Sequence, residues 1–96
     1  MLSIVPEDKL RAAAERAVAG VIDQGARLVT PEFVKAKLPG SGDLSLEELR
    51  QFIADSIRGQ QRIQNHWSYD PSREIALKQI RAALDTPEFR QAWVAA

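Results

Sequence analysis

The side chains in this sequence that could perform catalysis are few and lie far apart. The chain has one histidine, His66, and no cysteine, which excludes thiolate nucleophiles and zinc or iron–sulfur sites with thiolate ligands. A catalytic histidine needs a partner that orients it, and the nearest downstream carboxylate, Asp70, directly precedes the helix-breaking Pro71. We therefore expect His66 to be structural, and we predict no catalytic residue, cofactor or metal ion.

Adjacent carboxylates occur at Glu7-Asp8 and at Glu47-Glu48, and both pairs fall where a helix is expected to begin. Acidic residues in a first helical turn favour the helix dipole and cap backbone N–H groups, so these pairs need no catalytic explanation. The glycine-rich, HExxH and GxSxG motifs of nucleotide-binding proteins, metalloproteases and hydrolases do not occur in the sequence. We expect a protein that acts by binding and is not an enzyme.

Basic and aromatic residues gather in the second half of the chain. Residues 56–84 contain five basic and two acidic side chains, a net charge of +3, whereas residues 1–49 carry a net charge of −2. Spacings of four and eight residues place several of these side chains near one side of a continuous helix, with two aromatic residues directly after it. The residues concerned are Arg50, Arg58, Arg62, His66, Trp67 and Tyr69.

Arginine, tryptophan and tyrosine are enriched at the energetic centres of protein interfaces, and the same residue types contact nucleic-acid phosphates and bases. A solvated face with weak surface ion pairs is the other interpretation. We expect a protein partner, in a regulatory, adaptor or inhibitor role, with nucleic acid as the alternative partner. The candidate partner-binding residues are Arg58, Arg62, His66, Trp67, Tyr69, Phe89 and Trp93.

The last two candidates are four residues apart on a short C-terminal segment, so they would form one apolar stripe if that segment is helical. Two interpretations of Phe89 and Trp93 remain open. The stripe could dock onto a partner, or both aromatic rings could close the core of this chain.

Residues 40–49 resemble the second half of an EF-hand calcium loop, with Gly42 at the turn position and Glu48 at the bidentate position. The first and third ligand positions of such a loop fall on Lys37 and Pro39, which supply no carboxylate. Calcium requires six to eight oxygen ligands, so we expect a glycine-rich turn into a capped helix and no calcium site.

Residues 34–42 look like the second helix and turn of some plasmid and phage DNA-binding domains. This resemblance implies that the helix after Ser45 would enter the major groove of DNA. That helix, however, begins among Asp43, Glu47 and Glu48, whose carboxylates would oppose the phosphates. The alternative function is thus a helix-turn-helix regulator that uses the Ser45 helix, or nucleic-acid binding through the Arg50, Arg58 and Arg62 face.

Four groups of proline, glycine and short polar residues divide the chain into segments with a helical period. We predict an all-α, single-domain bundle of about five helices, two of them short, with Gly59 as a point where the third could bend or end. The expected helices span about 7–24, 31–38, 46–65, 71–84 and 87–94. In the first helix the apolar residues recur at three- and four-residue steps, at Leu10, Ala14, Ala17, Val18, Val21 and Ile22.

Residues 1–6 are expected to form an N-terminal strap over the core, and the alternative is a short strand that pairs with a partner chain. No apolar run approaches the roughly 20 residues that a transmembrane helix needs. We therefore expect no membrane association and a cytoplasmic location. A core this small leaves apolar surface that association with a second copy could cover, so a homo-oligomer is a further expectation.

Overall fold

The computed structural model describes residues 7–95, so the expected strap at residues 1–6 lies outside the described residues. Within 7–95 the chain is all-α, as predicted, with five α-helices, one short 3₁₀ turn and no strand. The helices are α1 (Glu7–Ala26), α2 (Pro31–Lys37), α3 (Leu46–Arg62), α4 (Pro71–Ala83) and α5 (Pro87–Ala95), and the 3₁₀ turn is Ser41–Asp43.

In α2 and α4 the first residue is a proline, and the residue before it caps the helix. Thr30 and Asp70 each directly precede a proline, and their side-chain oxygens accept hydrogen bonds from the backbone N–H groups of Phe33 and Ser72, at 3.2 and 3.0 Å. Each bond satisfies an N–H that has no partner within its own helix, while the proline fits a first-turn position that needs no N–H. The breaks in the sequence therefore define the helix starts.

The core lies between α3 and α4, and α2 and α5 close it from the other side. Ile53 of α3 and Ile80 of α4 are fully buried, as expected for the central contacts of two packed helices. The buried apolar residues are Val29, Val34, Leu38, Leu49, Ile53, Ile57, Leu77, Ile80, Ala83, Leu84, Phe89 and Trp93.

The third helix passes through Gly59 without a break and ends at Arg62. Burial on the preceding turns supports this continuity, because Ile53 and Ile57 anchor the helix and offset the cost of one internal glycine. His66 consequently lies beyond the helix, in the turn that leads to α4, and does not share the helical face with Arg58 and Arg62.

The first helix is the least covered, because none of its 20 residues is buried. It packs against α4 along one side only, where Ile22 is half-buried, whereas Leu10 and Val21 are 56% and 50% exposed. Of the six apolar residues that recur at helical spacing in α1, only Ile22 is thus half-buried, and the other five are exposed. Helical periodicity identifies an apolar face, but it does not say whether the same chain covers that face.

The molecule is elongated. The radius of gyration is 16.0 Å and the principal extents are 60 × 29 × 18 Å, whereas a compact chain of this length has a radius of gyration of about 12.5 Å. Phe52 of α3 is 42% exposed, although the sequence places it among the apolar residues that repeat at helical spacing along this helix.

Candidate protein-binding surface

Four of the predicted partner-binding residues lie at the end of α3 or in the α3–α4 turn, which comprises residues 63–70. The indole of Trp67 is 90% exposed, more than any other large apolar side chain in the described residues. Tryptophan is usually well covered in folded proteins, because its large ring gains free energy when it leaves water. A tryptophan that stands in solvent is thus the feature of this turn that most needs an explanation.

The backbone of the α3–α4 turn is hydrogen-bonded on both sides of Trp67. The N–H of His66 donates to the carbonyl oxygen of Ile63 at 2.8 Å, and the N–H of Tyr69 donates to the carbonyl oxygen of His66 at 3.0 Å. These bonds close two consecutive turns of the chain. Trp67 is therefore presented from a structured segment.

His66 is held by its neighbour Ser68. The backbone N–H of Ser68 donates to His66 Nδ1 at 3.2 Å, and the Ser68 hydroxyl lies 2.7 Å from the same nitrogen. The imidazole centroid is 5.3 Å from the Trp67 ring, so the two rings form one exposed aromatic pair.

Tyr69 ties the turn to α4. Its hydroxyl donates to Oε2 of Glu74, a carboxylate that is only 6% exposed, and Lys78 Nζ lies 3.4 Å from the other oxygen, Oε1. The hydrogen bond to Glu74 raises the pKa of Tyr69 above its ordinary value, because the bond requires the protonated phenol. Tyr69 is half-buried and connects the turn to α4 through this hydrogen bond, while Trp67 remains exposed.

The arginines expected to form one face are divided by the structure. Arg62, the last residue of α3, is exposed, and Arg58 is exposed but paired with Asp55 one turn earlier. Arg50 instead reaches across to the α4–α5 connection, where its guanidinium lies 3.1 Å from Asp85 Oδ1. Arg50 is therefore a cross-link within the fold and not part of the same surface.

Phe89 and Trp93 do not form an exposed docking stripe. They are only 4% and 7% exposed, and their rings stack with centroids 6.0 Å apart. The indole N–H of Trp93 donates to the carbonyl oxygen of Leu44 at 2.9 Å. Of the two interpretations left open by the sequence, the structure supports the one in which both rings close the core. The only polar atom of the Trp93 side chain, its indole nitrogen, keeps a hydrogen-bond partner when the ring is buried there.

The start of α3 is acidic and exposed. Asp43, Glu47 and Glu48 are all exposed, and the Glu48 carboxylate accepts a hydrogen bond from the Ser45 backbone N–H at 3.0 Å. This bond holds the pKa of Glu48 below its ordinary value, since the charged carboxylate is the better acceptor.

Residues 7–95 contain no cluster of three or more His, Asp or Glu side chains suited to a metal ion.

A small pocket lies between the end of α2 and the start of α4, with a volume of about 180 Å³. Lys37, Asp70 and Arg73 supply its polar groups, and Leu77 and Ile80 part of its apolar wall. Its volume is below the roughly 300–1,000 Å³ of sites that enclose small organic ligands. The Trp67 region is thus the more distinctive feature of this end of the molecule.

Sequence reasoning missed the exposed apolar stripe of α1, which the structure leaves without a partner in the described chain. Apolar residues occupy more of the circumference of this helix than one neighbouring helix can cover. The width of this apolar face in the sequence could have indicated that part of it stays exposed.

No helix within residues 7–95 has the length and apolar character required to cross a bilayer. No protein-family model, curated protein or solved structure matches this chain.

Proposed function

We propose that this protein is a non-enzymatic binding module that docks onto a protein partner through the Trp67 surface, defined as Arg62, His66 and Trp67. The observation that carries the proposal is the 90% exposure of the Trp67 indole on a hydrogen-bonded turn. Tryptophan, with tyrosine and arginine, is enriched among interface hot spots.

Burial of the Trp67 ring by a partner would supply a large favourable free energy. A tryptophan side chain buries about 150–250 Å² in a complex, which corresponds to roughly 4–6 kcal/mol before the costs of association. Because the turn is already fixed by hydrogen bonds on both sides of the indole, little backbone entropy would be lost on docking. A single anchor of this kind suffices for a specific contact when a rim of weaker contacts excludes water.

The charge around Trp67 indicates the chemistry of the partner. Arg62 and Arg73 are both exposed on the helices that flank the turn, and Asp70 is occupied as the cap of α4. A complementary partner would present an apolar pocket for the indole with carboxylates on its rim. Arg58 belongs to the outer edge of this surface, since its guanidinium already pairs with Asp55.

Binding of DNA through the start of α3 is disfavoured by the three exposed carboxylates there, Asp43, Glu47 and Glu48. The arginine face proposed for nucleic acid is also broken, because Arg50 is committed to Asp85. These placements support a protein partner over a nucleic acid. The cytoplasmic location expected from the sequence is part of the same proposal, and fractionation of cells that express the tagged chain would test it.

Comparative affinity enrichment with the full-length chain tests the proposal. Tagged wild type, Trp67→Ala and a control, Leu28→Ala, are incubated with extract of the source cells, and bound proteins are quantified by mass spectrometry. Leu28 is 79% exposed, so its truncation removes a similarly exposed apolar side chain elsewhere. We expect one partner retained by wild type and Leu28→Ala and reduced about tenfold or more by Trp67→Ala, in line with loss of a hot spot.

Two outcomes would overturn the proposal. In the first, Trp67→Ala retains every protein that the wild type enriches. In the second, the wild type binds labelled random duplex DNA at about 50 mM salt, loses that binding at about 200 mM, and is weakened by Arg62→Ala, which is the signature of phosphate contacts.

A further inference from the structure

The surface of α1 is divided into three faces, and only two of them are explained by the fold. Ala12, Ile22 and Ala26 are half-buried, and Gln79 of α4 donates to the Val21 carbonyl oxygen at 3.3 Å on the α4 side. A polar face carries the exposed residues Lys9, Arg16 and Asp23. The third face, the α1 stripe, consists of Leu10, Ala14, Ala17 and Val21, all exposed.

The α1 stripe lies at steps of four, three and four residues, which keeps all four side chains in one line along the helix. None of its members is charged, although Leu10 and Val21 are 56% and 50% exposed. Val18, 42% exposed, lies beside the stripe and lines a groove against Lys78 and Arg81 of α4. A solvated helix face normally carries polar residues, so this stripe requires a cover.

The order of residues in the α1 stripe is self-complementary when a second helix runs antiparallel. About a midpoint between Ala14 and Ala17, the stripe reads large, small, small, large. A two-fold axis at that midpoint places Leu10 opposite Val21 of the other copy and Ala14 opposite Ala17. This is the arrangement that an isologous interface requires, and the central alanines permit a close approach of about 8 Å between helix axes.

The polar residues at the two ends of the α1 stripe match under the same axis. Glu7 precedes Leu10 by three positions and Gln24 follows Val21 by three, so the axis that pairs Leu10 with Val21 also pairs Glu7 with Gln24. At each end of the interface, the Glu7 carboxylate of one copy can accept a hydrogen bond from the Gln24 side-chain NH₂ group of the other copy. Among the described residues 7–95, Glu7 forms an exposed ion pair with Arg11, at 3.8 Å.

We propose that a second copy of this chain covers the α1 stripe, in an antiparallel, two-fold symmetric contact between the two α1 helices. The area available agrees with a weak dimer. A 20-residue helix is about 30 Å long and about 10 Å across, so the helix face alone offers roughly 300 Å² on each copy, before the adjoining groove on α4 is added. Interfaces near 1,200 Å² in total are at the lower limit for stable association, so the dimer should dissociate on dilution.

Sedimentation velocity of the 96-residue chain over about 1–500 µM tests this proposal, a range suited to weak interfaces. We expect the average mass to rise with concentration from that of one 10.7 kDa chain towards that of two. Ala17→Glu should weaken the dimer at least about tenfold, because each dimer would then bury two carboxylates near its axis. Arg16→Glu on the polar face is the control; it changes the charge by more and should leave the dissociation constant unchanged.

An exchange of the end residues tests the antiparallel register. Gln24→Glu should weaken the dimer because it places two carboxylates opposite each other at both ends, and Glu7→Gln combined with Gln24→Glu should restore it. A mass that stays at one chain throughout the concentration range would overturn the proposal, as would equal effects of Ala17→Glu and Arg16→Glu. Trp67→Ala should leave the dimer intact, so failure of this inference and failure of the Trp67 proposal are distinguishable.

Discussion

The indole nitrogen of Trp93 lies 2.9 Å from the carbonyl oxygen of Leu44, and this hydrogen bond joins the last helix to the residue that precedes the cap of α3. Trp93 is 7% exposed, whereas the other tryptophan, Trp67, is 90% exposed. The two indoles thus have opposite roles in one small fold. One completes the core and satisfies its N–H internally, and the other stands in solvent on a structured turn.

The first prediction concerns these two environments. Iodide should quench the fluorescence of Trp67 efficiently and that of Trp93 poorly, because an ionic quencher reaches exposed indoles and not buried ones. Trp67→Phe should therefore remove the quenchable fraction, and Trp93→Phe should leave it. Stern–Volmer titration of both variants checks this, and equal quenching in the two variants would contradict the exposure difference.

Loss of the Trp93 hydrogen bond should lower stability. Trp93→Phe keeps an aromatic ring in the core but removes the N–H that bonds to Leu44, which costs about 1 kcal/mol for one neutral hydrogen bond. For a domain of this size the corresponding fall in Tm is about 4–8 °C. Thermal unfolding followed by circular dichroism measures it, and an unchanged Tm would show that this bond adds nothing to the core.

Two glycines should respond in opposite directions to the same substitution. An added Cβ meets open space at both Gly59 and Gly40, but Gly40 has a φ of +88° and Gly59 lies inside α3. Gly59→Ala should raise the free energy of unfolding by about 0.5–1 kcal/mol, since alanine restricts the unfolded chain and favours the helix. Gly40→Ala should lower it by about 1–2 kcal/mol, because alanine tolerates a left-handed conformation poorly. Urea unfolding of both variants gives these values, and changes of the same sign would contradict the assigned conformations.

The capping box at Ser45 should make stability sensitive to acid. The folded-state pKa of Glu48 is lower than the ordinary value of 4.5, so its contribution is present at neutral pH and above 4.5. That contribution is lost as the pH falls below 4.5 and through the lower folded-state pKa, because the unfolded chain takes up the proton first. Glu48→Gln keeps a side-chain oxygen for the Ser45 N–H without this titration.

The measurement is the difference in free energy of unfolding between wild type and Glu48→Gln as a function of pH. The wild type should lose stability relative to the variant between neutral pH and the acid limit. A difference that does not change with pH would show that the Glu48 carboxylate is not held in its charged form by the cap.

The helix starts could be predicted from the sequence because capping acts locally. Ser45 with Glu48, and Thr30 and Asp70 before their prolines, contain the whole signal within four residues. The end of α3 was predicted three residues too late, at Asn65, since the apolar repeat continues to Ile63 while the backbone closes a turn at Gln60. Such a termination depends on the next helix and carries little local signal.

The candidate surface was predictable only in part. Trp67 and Trp93 both lie next to apolar or aromatic residues, and nothing within a few positions of either says which indole is covered. Trp93 packs into the core, and its indole N–H bonds to the carbonyl oxygen of Leu44, 49 residues away. Arg50 points away from Arg58 and Arg62 because it pairs with Asp85. The exposure of the apolar stripe on α1 could not be predicted from nearby residues either, because it depends on which other elements pack against the helix. The described part of this chain leaves the stripe uncovered.

Site-specific photo-cross-linking in the source cells tests the central claim most directly. A photoreactive phenylalanine analogue replaces the exposed Asn65, two positions before the intact Trp67, in one chain and Leu28 in another, and cells are irradiated before denaturing purification. The account predicts a discrete cross-linked protein of defined mass from position 65 that is absent from position 28 and is lost when Trp67→Ala is added to the position-65 variant. No cross-link at position 65, or the same products from both positions, would contradict a docking role for the Trp67 surface.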